Sequence, residues 1–510
     1  MLFRSTLAQR RRAAAGQSTT PRPERPGGLL EAFDGRLPFT LTAGQLEVGA
    51  TIADEMARDV PMHRLLQGEV GSGKTIVALR AMLAAVDSGG QAALLAPTEV
   101  LAAQHHRTIT AMLGDLAEGG LLGGAEHGTR VALLTGSQST AERRRTLLDV
   151  VTGDAGIVVG THALLQENVD FFDLGLVVVD EQHRFGVEQR DALRRKGSVP
   201  PHVLVMTATP IPRTVAMTVF GDLETSTLRE LPAGRASITT HVVPEDRPNW
   251  MARTWARVAE EVRAGRQVYV VCPRIGDDDV PDDETDLRAE AVADDDGDGE
   301  AAAAPPRPLK SVYAVHATLA EEPALAGLSV EVLHGRLTSD EKDAVMARFQ
   351  RGELDVLVST TVVEVGVDVP NASVMVVMDA DRFGVSQLHQ LRGRIGRGGH
   401  PGLCLLVTGT EAEAATTRLN AVAATTDGFA LARLDLSQRR EGDILGAAQH
   451  GRRTQLEFLH ILEDEDVIEQ ARDDAFALVA DDPELAGHLD LAAAVRARVD
   501  AEQAAYLERG

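Results

Sequence analysis

GEVGSGKT, residues 68–75, decides the fold class of this 510-residue chain. Gly68, Gly71 and Gly73 let the backbone curl until the N–H groups of Glu69, Val70, Gly71 and Ser72 can surround a phosphate, and Lys74 can then reach the β- and γ-oxygens. The Thr75 hydroxyl is a hard oxygen donor suited to Mg²⁺. The apolar Arg64-Leu65-Leu66 stretch precedes the loop and a helical pattern, Ile76 to Ala85, follows it, which is the strand–loop–helix setting such a loop requires. The chain holds only four lysines, at positions 74, 196, 310 and 342, so a lysine at the loop's functional position is a selective placement. The sequence therefore implies an α/β fold that binds a nucleoside triphosphate.

A second element turns binding into hydrolysis. Gly175-Leu176-Val177-Val178-Val179 reads as a buried parallel strand, and it delivers Asp180-Glu181-Gln182-His183 at its carboxyl end, where open α/β sheets hold their ligands. Asp180 is expected to hold Mg²⁺ together with Thr75. Glu181 is placed to orient and deprotonate the attacking water, with Lys74 absorbing charge that develops on the transferred phosphoryl group.

Further motifs follow in a fixed order. Ala96-Pro97-Thr98, Gly160-Thr161-His162, Thr207-Ala208-Thr209-Pro210, His334-Gly335-Arg336, the run Ser359 to Pro370, and QLHQLRGRIGRG from Gln387 to Gly398 together resemble the ordered motifs of superfamily 2 helicases. That resemblance implies ATP as the nucleotide and assigns roles residue by residue. Arg394 and Arg397 match arginine fingers that cross a cleft to the γ-phosphate. Gln45 matches the adenine-reading glutamine upstream of the loop, and Asp368 joins the nucleotide-binding set. Gln182, His183, Thr207, Thr209 and Gln390 would couple hydrolysis to lobe motion. Thr98, Thr161, His162, Arg336 and Thr360 would touch the DNA backbone, contacts that position without reading sequence.

Longer phrases narrow the resemblance. DEQHRFGVEQR (180–190), TATPIPRT (207–214), VVEVGVDVPNA (362–372) and DADRFGVSQLHQLRGRIGRG (379–398) resemble the RecG family of branched-DNA translocases. The transcription-repair coupling translocases are similar too, but they usually carry a further acidic residue where this chain has Gln182-His183. DGFALARLDLSQRREGDILGAAQHG (427–451) resembles the translocation hairpin shared by both families, which assigns Arg439 and Gln449 to DNA movement. Arg440-Glu441 departs from the usual Gly-Pro, and His450 from a common serine, while Arg439, Gly442, Gly446 and Gln449 stay in step. The resemblance implies branched or duplex DNA as partner, with single-strand-binding protein as a further candidate, a monomer, and a bacterial cytoplasmic, nucleoid-associated location.

Composition agrees with an intracellular motor of several domains. Cys272 and Cys404 are the only cysteines and form no Cys-x-x-Cys pair, so buried structural thiols are expected rather than disulfides or zinc. No apolar run reaches membrane-spanning length, and no secretory segment follows Met1. The net charge of −25 argues against a polyanionic partner only until its distribution is read. Residues 277–300 carry 13 acidic side chains against one arginine, and residues 461–510 carry 14 against four, which leaves the rest of the chain near neutrality. A basic track through Arg336, Arg392, Arg394, Arg397, Arg439, Arg440, Arg452 and Arg453 then stays available.

Strand spacing gives the organisation. A residual helical linker over 1–37 precedes a doubly wound, RecA-like domain at 38–232, a second at 233–410, and a carboxyl-terminal region with the helical hairpin at 411–510. The Asp/Glu/Ala/Pro-rich segment 277–308 is too polar to bury a core and reads as a solvated insertion in the second domain. RecG-type enzymes carry an amino-terminal wedge with an OB-fold, for which 37 residues leave no room, so a fragment, a truncated product or a mis-started reading frame is expected. Two readings follow: an ATP-driven DNA translocase, or a DNA-structure binding protein whose motor no longer cycles.

Overall fold

The computed structural model describes residues 18–119, 128–166, 169–180, 196, 199–208, 223–230, 236–276, 309–361, 369–410, 412–438, 464–482, 485–494 and 497. Two wholly parallel sheets organise them. The first lobe runs α1 (Leu29–Asp34), α2 (Ala43–Met56), β1 (His63–Gly68), α3 (Lys74–Asp87), β2 (Gln91–Leu95) and α4 (Glu99–Leu113). It continues with β3 (Arg130–Leu134), α5 (Thr140–Thr152), β4 (Ala155–Gly160), β5 (Leu174–Val179), β6 (His202–Thr207) and β7 (Glu224–Leu228). Its seven strands lie in the order β3-β4-β2-β5-β6-β1-β7.

The second lobe runs β8 (Ile238–Pro244), α6 (Pro248–Arg263), β9 (Gln267–Val271), α7 (Val312–Glu321), β10 (Val330–Leu333), α8 (Ser339–Gln350) and β11 (Val356–Ser359). Then come β12 (Ala372–Val377), α9 (Val385–Arg392), β13 (Gly402–Thr408) and α10 (Glu413–Ala424), with strand order β10-β11-β9-β12-β13-β8. Two further helices follow, α11 (Gly428–Gln438) and α12 (Glu465–Asp481).

The central strands form where they do because both faces are covered: every residue of β2, β4, β5, β6, β9, β11 and β12 is buried. Continuous Val/Leu runs suit that position, whereas alternation would leave one face wet. Polar side chains punctuate the helices. Thr42, Ser139 and Thr338 each open a helix through a reciprocal capping box with Gln45, Glu142 and Glu341, and each cap contributes about 1 kcal/mol.

Two strands escape a reading based on apolar runs. β7 (ETSTL) and β8 (ITTHVVP) lie at sheet edges and are only partly buried, so threonine serves there as well as valine. The described part of the expected linker also differs from a linker. Leu29, Leu30 and Phe33 sit in the first-lobe core, and Asp87 at the end of α3 accepts from Leu29 N at 2.7 Å and Leu30 N at 3.0 Å. Arg22, 2% exposed, pairs with Asp173 at 2.7 Å. Residues 18–34 are thus part of the first lobe, because three apolar side chains and a buried arginine bind them to it.

Cys272 and Cys404 are free and buried, and burial pushes both thiols up, Cys404 to about 12. Among the described residues no helix is long and apolar enough to cross a membrane.

The segment 277–308 lies outside the described residues, but its two flanks meet. Val312 N donates to Arg274 O at 2.9 Å and Tyr313 N to Ile275 O at 3.4 Å. Replacing 277–308 by a short Gly-Ser linker is therefore expected to leave the melting temperature within about 4 °C of the parent and any nucleotide hydrolysis within about two- to threefold, since a polar, highly charged stretch adds little to either core. A large loss of either would show that the segment packs or regulates.

Candidate functional site

The carboxyl edge of the first sheet gathers the residues singled out from sequence. β1 ends at Gly68, between β6 and β7, with Gln67 opposite Thr207 and Gly68 opposite Leu228. The next residues curl into the loop and reverse at Gly73, whose φ of 87° favours glycine; a Cβ there would also run into the Gln45 amide. α3 starts at Lys74, so its free N–H groups face the loop. Lys74 Nζ donates to the carbonyls of Gly68 at 2.8 Å and Glu69 at 2.9 Å.

Gln45 is buried against this loop. Its Nε2 donates to Ser72 O at 2.9 Å while its Oε1 accepts from Thr42 N at 3.0 Å, so one half of the amide braces the loop and the other caps its own helix. Ser72 Oγ is buried with no hydrogen-bond partner among the described residues. An orphaned hydroxyl, a left-handed glycine turn and an ammonium beside a helix N-terminus make a cradle that fits a polyphosphate. The Thr75 hydroxyl and Asp180 carboxylate add the oxygen donors that suit a Mg²⁺ ion accompanying it.

β5 delivers Asp180, whose N–H donates to Leu95 O at 2.9 Å. Its carboxylate Oδ2 lies 2.7 Å from Nε2 of His105 on α4. This second-layer contact has no sequence signature, because a histidine in a helix reads as one more polar residue until the fold brings it under Asp180. Thr207 ends β6 and is buried.

The second lobe comes up to the loop directly. Gly393 stands so close to Val70 that a Cβ on it would lie 3.1 Å from Val70 Cβ, and Gly393 is the residue before Arg394. Arg394 N donates to Leu391 O at 2.9 Å, and Arg397 Nε to Gly393 O at 3.0 Å. The arginine-bearing turn therefore abuts the phosphate loop. Elsewhere along the cleft Val100 of α4 packs on the second-lobe core. Asp343 of α8 is raised from its ordinary value by burial, against the opposing pull of Arg107 on α4.

The described residues assigned to DNA, Thr98, Thr161, His162, Arg336 and Thr360, follow strand ends on the same edges. Thr98 caps α4, accepting from Leu101 N at 3.3 Å. Thr161 is buried and accepts from Ala163 N at 3.5 Å, next to exposed His162. On the second sheet Arg336 is exposed and Thr360 is buried at 9%. His334 shares a hydrogen bond of 2.8 Å with Tyr313 Oη, and burial, then Lys342 and Arg336, hold its imidazole below its ordinary value.

Arg392 leaves the surface track. It is 2% exposed and donates inward to Val422 O and Thr425 O, each at 2.7 Å. Two carbonyls at the carboxyl end of α10, where helix groups lack an intrahelical partner, receive a donor from the guanidinium fork. Gln390 is likewise buried. Glu181, Gln182, His183, Thr209, Asp368, Arg439, Arg440, Gln449, Arg452 and Arg453 lie outside the described residues.

Two doubly wound lobes with a phosphate loop on one and an arginine-bearing turn of the other against it define the two-lobed P-loop fold of the helicase class. The profile of the DEAD/DEAH box helicase family matches residues 42–218, and that of the helicase conserved C-terminal domain matches residues 310–399. The chain is 56% identical over 471 residues to the ATP-dependent DNA helicase RecG of Mycobacterium bovis, covering 92% of this chain and 61% of that protein. With the Bacillus subtilis ATP-dependent DNA helicase RecG it shares 42% over 482 residues, 94% of this chain and 64% of that one. A solved RecG structure bound to a three-way DNA junction superposes with a TM-score of 0.68 at 36% identity, over 92% of this chain and 56% of that one. The helicase MrfA bound to DNA, at 18% identity and a TM-score of 0.52, shares the fold. The chain belongs to the RecG family, and it spans about three fifths of the length of the curated relatives it matches.

Proposed function

We propose that this chain is an ATP-hydrolysing DNA translocase that acts on branched DNA such as stalled forks and junctions. The observation that carries it is the seating of Gly393 and the arginine turn on Val70 of the phosphate loop, at the sheet edge that also bears Asp180. Closure of the two lobes on ATP then completes one catalytic surface from both.

Lys74, freed from the loop carbonyls, would take the β- and γ-oxygens, and the N–H groups at the start of α3 would hold the remaining charge. Thr75 and Asp180 would hold Mg²⁺, which would supply neutralisation of the phosphate charge. Glu181 would align and deprotonate the water, and Arg394 and Arg397 would meet the charge that develops in the transition state. Thr207, Thr209, Gln182, His183 and Gln390 connect that chemistry to lobe motion. Thr98, Thr161, His162, Arg336 and Thr360 hold the DNA backbone while Arg439 and Gln449 pass movement to it. In this reading the motor works as a monomer in the bacterial cytoplasm, with single-strand-binding protein as a candidate partner.

Phosphate release by the purified chain, with and without linear duplex and forked DNA, tests the proposal. Turnover is expected to rise about tenfold or more on DNA, a lowering of the barrier by one factor of ten in rate. Regression of a model fork then tests the branched substrate. ATP turnover indifferent to every DNA would favour a binding protein with an idle motor.

A further inference from the structure

The phosphate loop makes a second contact that no nucleotide chemistry requires. Glu69 Oε1 accepts from Gly428 N at 2.8 Å, across 359 residues of sequence. Gly428 is the first residue of α11, the helix whose last residue, Gln438, directly precedes Arg439. Asp427 already accepts from the next two N–H groups, Phe429 N at 2.8 Å and Ala430 N at 3.2 Å. The helix thus caps two of its own free donors and leaves the third to the other lobe.

A second grip acts on the neighbouring residue. The Arg229 guanidinium carbon stands 6.0 Å from the centre of the Phe429 ring, within cation–π reach. Glu69 follows Gly68 and Arg229 follows Leu228, and those two residues are register partners on β1 and β7. Adjacent strand ends therefore hold consecutive residues of α11, one through an acid and one through a base. At its other end α11 is tied to α9, the helix leading into the arginine turn, by Ser386 Oγ donating to Asp435 Oδ2 at 3.1 Å.

We infer that Glu69 and Arg229 form a latch that reports the state of the phosphate loop to α11 and to the segment beyond it. The Glu69 backbone carbonyl is one of the two that hold Lys74, and it also accepts from Ser72 N at 3.1 Å. A polyanion that draws Lys74 away takes from the Glu69 carbonyl one of the two donors that fix this peptide, and it repels the Glu69 carboxylate from the filled loop. The side chain then leaves its position on Gly428, so the latch opens when the loop fills and closes when it empties. Glu69 and Arg229 act here as positioning residues.

The inference rests on nucleotide binding at this loop, and its test reads that binding separately. Hydrogen exchange at residues 428–431 is measured with and without a non-hydrolysable ATP analogue, with thermal shift as the independent sign of binding. Exchange is expected to rise about tenfold on binding in the parent, the scale of one lost charge-assisted hydrogen bond. Gly428→Pro removes the donor N–H at a first helical position, where proline fits. Gly428→Pro should bind the analogue equally well, with exchange at 429–431 already raised and no longer responsive. Gly428→Ala keeps the N–H and should behave as the parent. Arg229→Ala should lower the DNA-stimulated turnover about tenfold while the KM for ATP and the DNA-free rate stay within about twofold. Binding of the analogue with unchanged exchange at α11 in the parent overturns the latch alone. No binding at all overturns the functional reading and the latch together.

Discussion

Lys74→Ala is expected to reduce ATP hydrolysis by about 10²- to 10³-fold or more, the scale on which removing one preorganised donor to a developing charge acts. The ammonium donates to two loop carbonyls, Gly68 O and Glu69 O, and Lys74 belongs to neither of the first lobe's apolar cores. The fold should therefore survive: circular dichroism should match the parent, and the melting temperature should stay within about 4 °C, the shift of a change near 1 kcal/mol. Phosphate release with saturating DNA is the measurement. Parent-like turnover in a folded Lys74→Ala protein would remove the assignment of residues 68–75 as the phosphate site.

Arg397→Ala should be nearly as severe but differently partitioned. A finger that meets the γ-phosphate mainly in the transition state is worth about 10³ to 10⁵ in rate, and its loss lowers kcat with little change in ATP binding. The described geometry suits that role: Arg397 leans on Gly393 O at 3.0 Å, and Gly393 rests against Val70 of the loop. Equilibrium binding of a fluorescent ATP analogue beside single-turnover hydrolysis separates the cases. A collapse of affinity with unchanged turnover of bound ATP would make Arg397 a binding residue and leave lobe closure without a catalytic role.

Much of this molecule is legible before any coordinates. The loop at 68–75, the apolar runs ending at Val179 and Met206, and the second series from Val268 onward give two parallel α/β lobes, since strands buried on both faces must be apolar throughout. Edge strands β7 and β8 stay hidden because a half-exposed strand admits threonine and histidine. Arg392 reads as one more surface base in an arginine-rich run, and only the ends of α10 show that it is spent on carbonyls inside the second lobe.

The sequence by itself determined which chemistry the chain can carry: the glycine, lysine and threonine spacing at 68–75 and the acidic pair at 180–181 are local patterns, each complete within a few residues. Tertiary structure alone decided which distant groups answer them. His105 lies 75 residues from Asp180, Gly428 lies 359 from Glu69, and Gly393 meets Val70 across the lobes. No periodicity encodes such pairs, because each arises where folding brings together helices, strand ends and loops that are distant in sequence. The same physics explains Gln45, whose amide is set by local capping at Thr42 and by the turn of a loop 27 residues away. Local hydrogen bonds and burial write themselves into sequence, whereas the meeting of two separately folded lobes is a property of their packed surfaces.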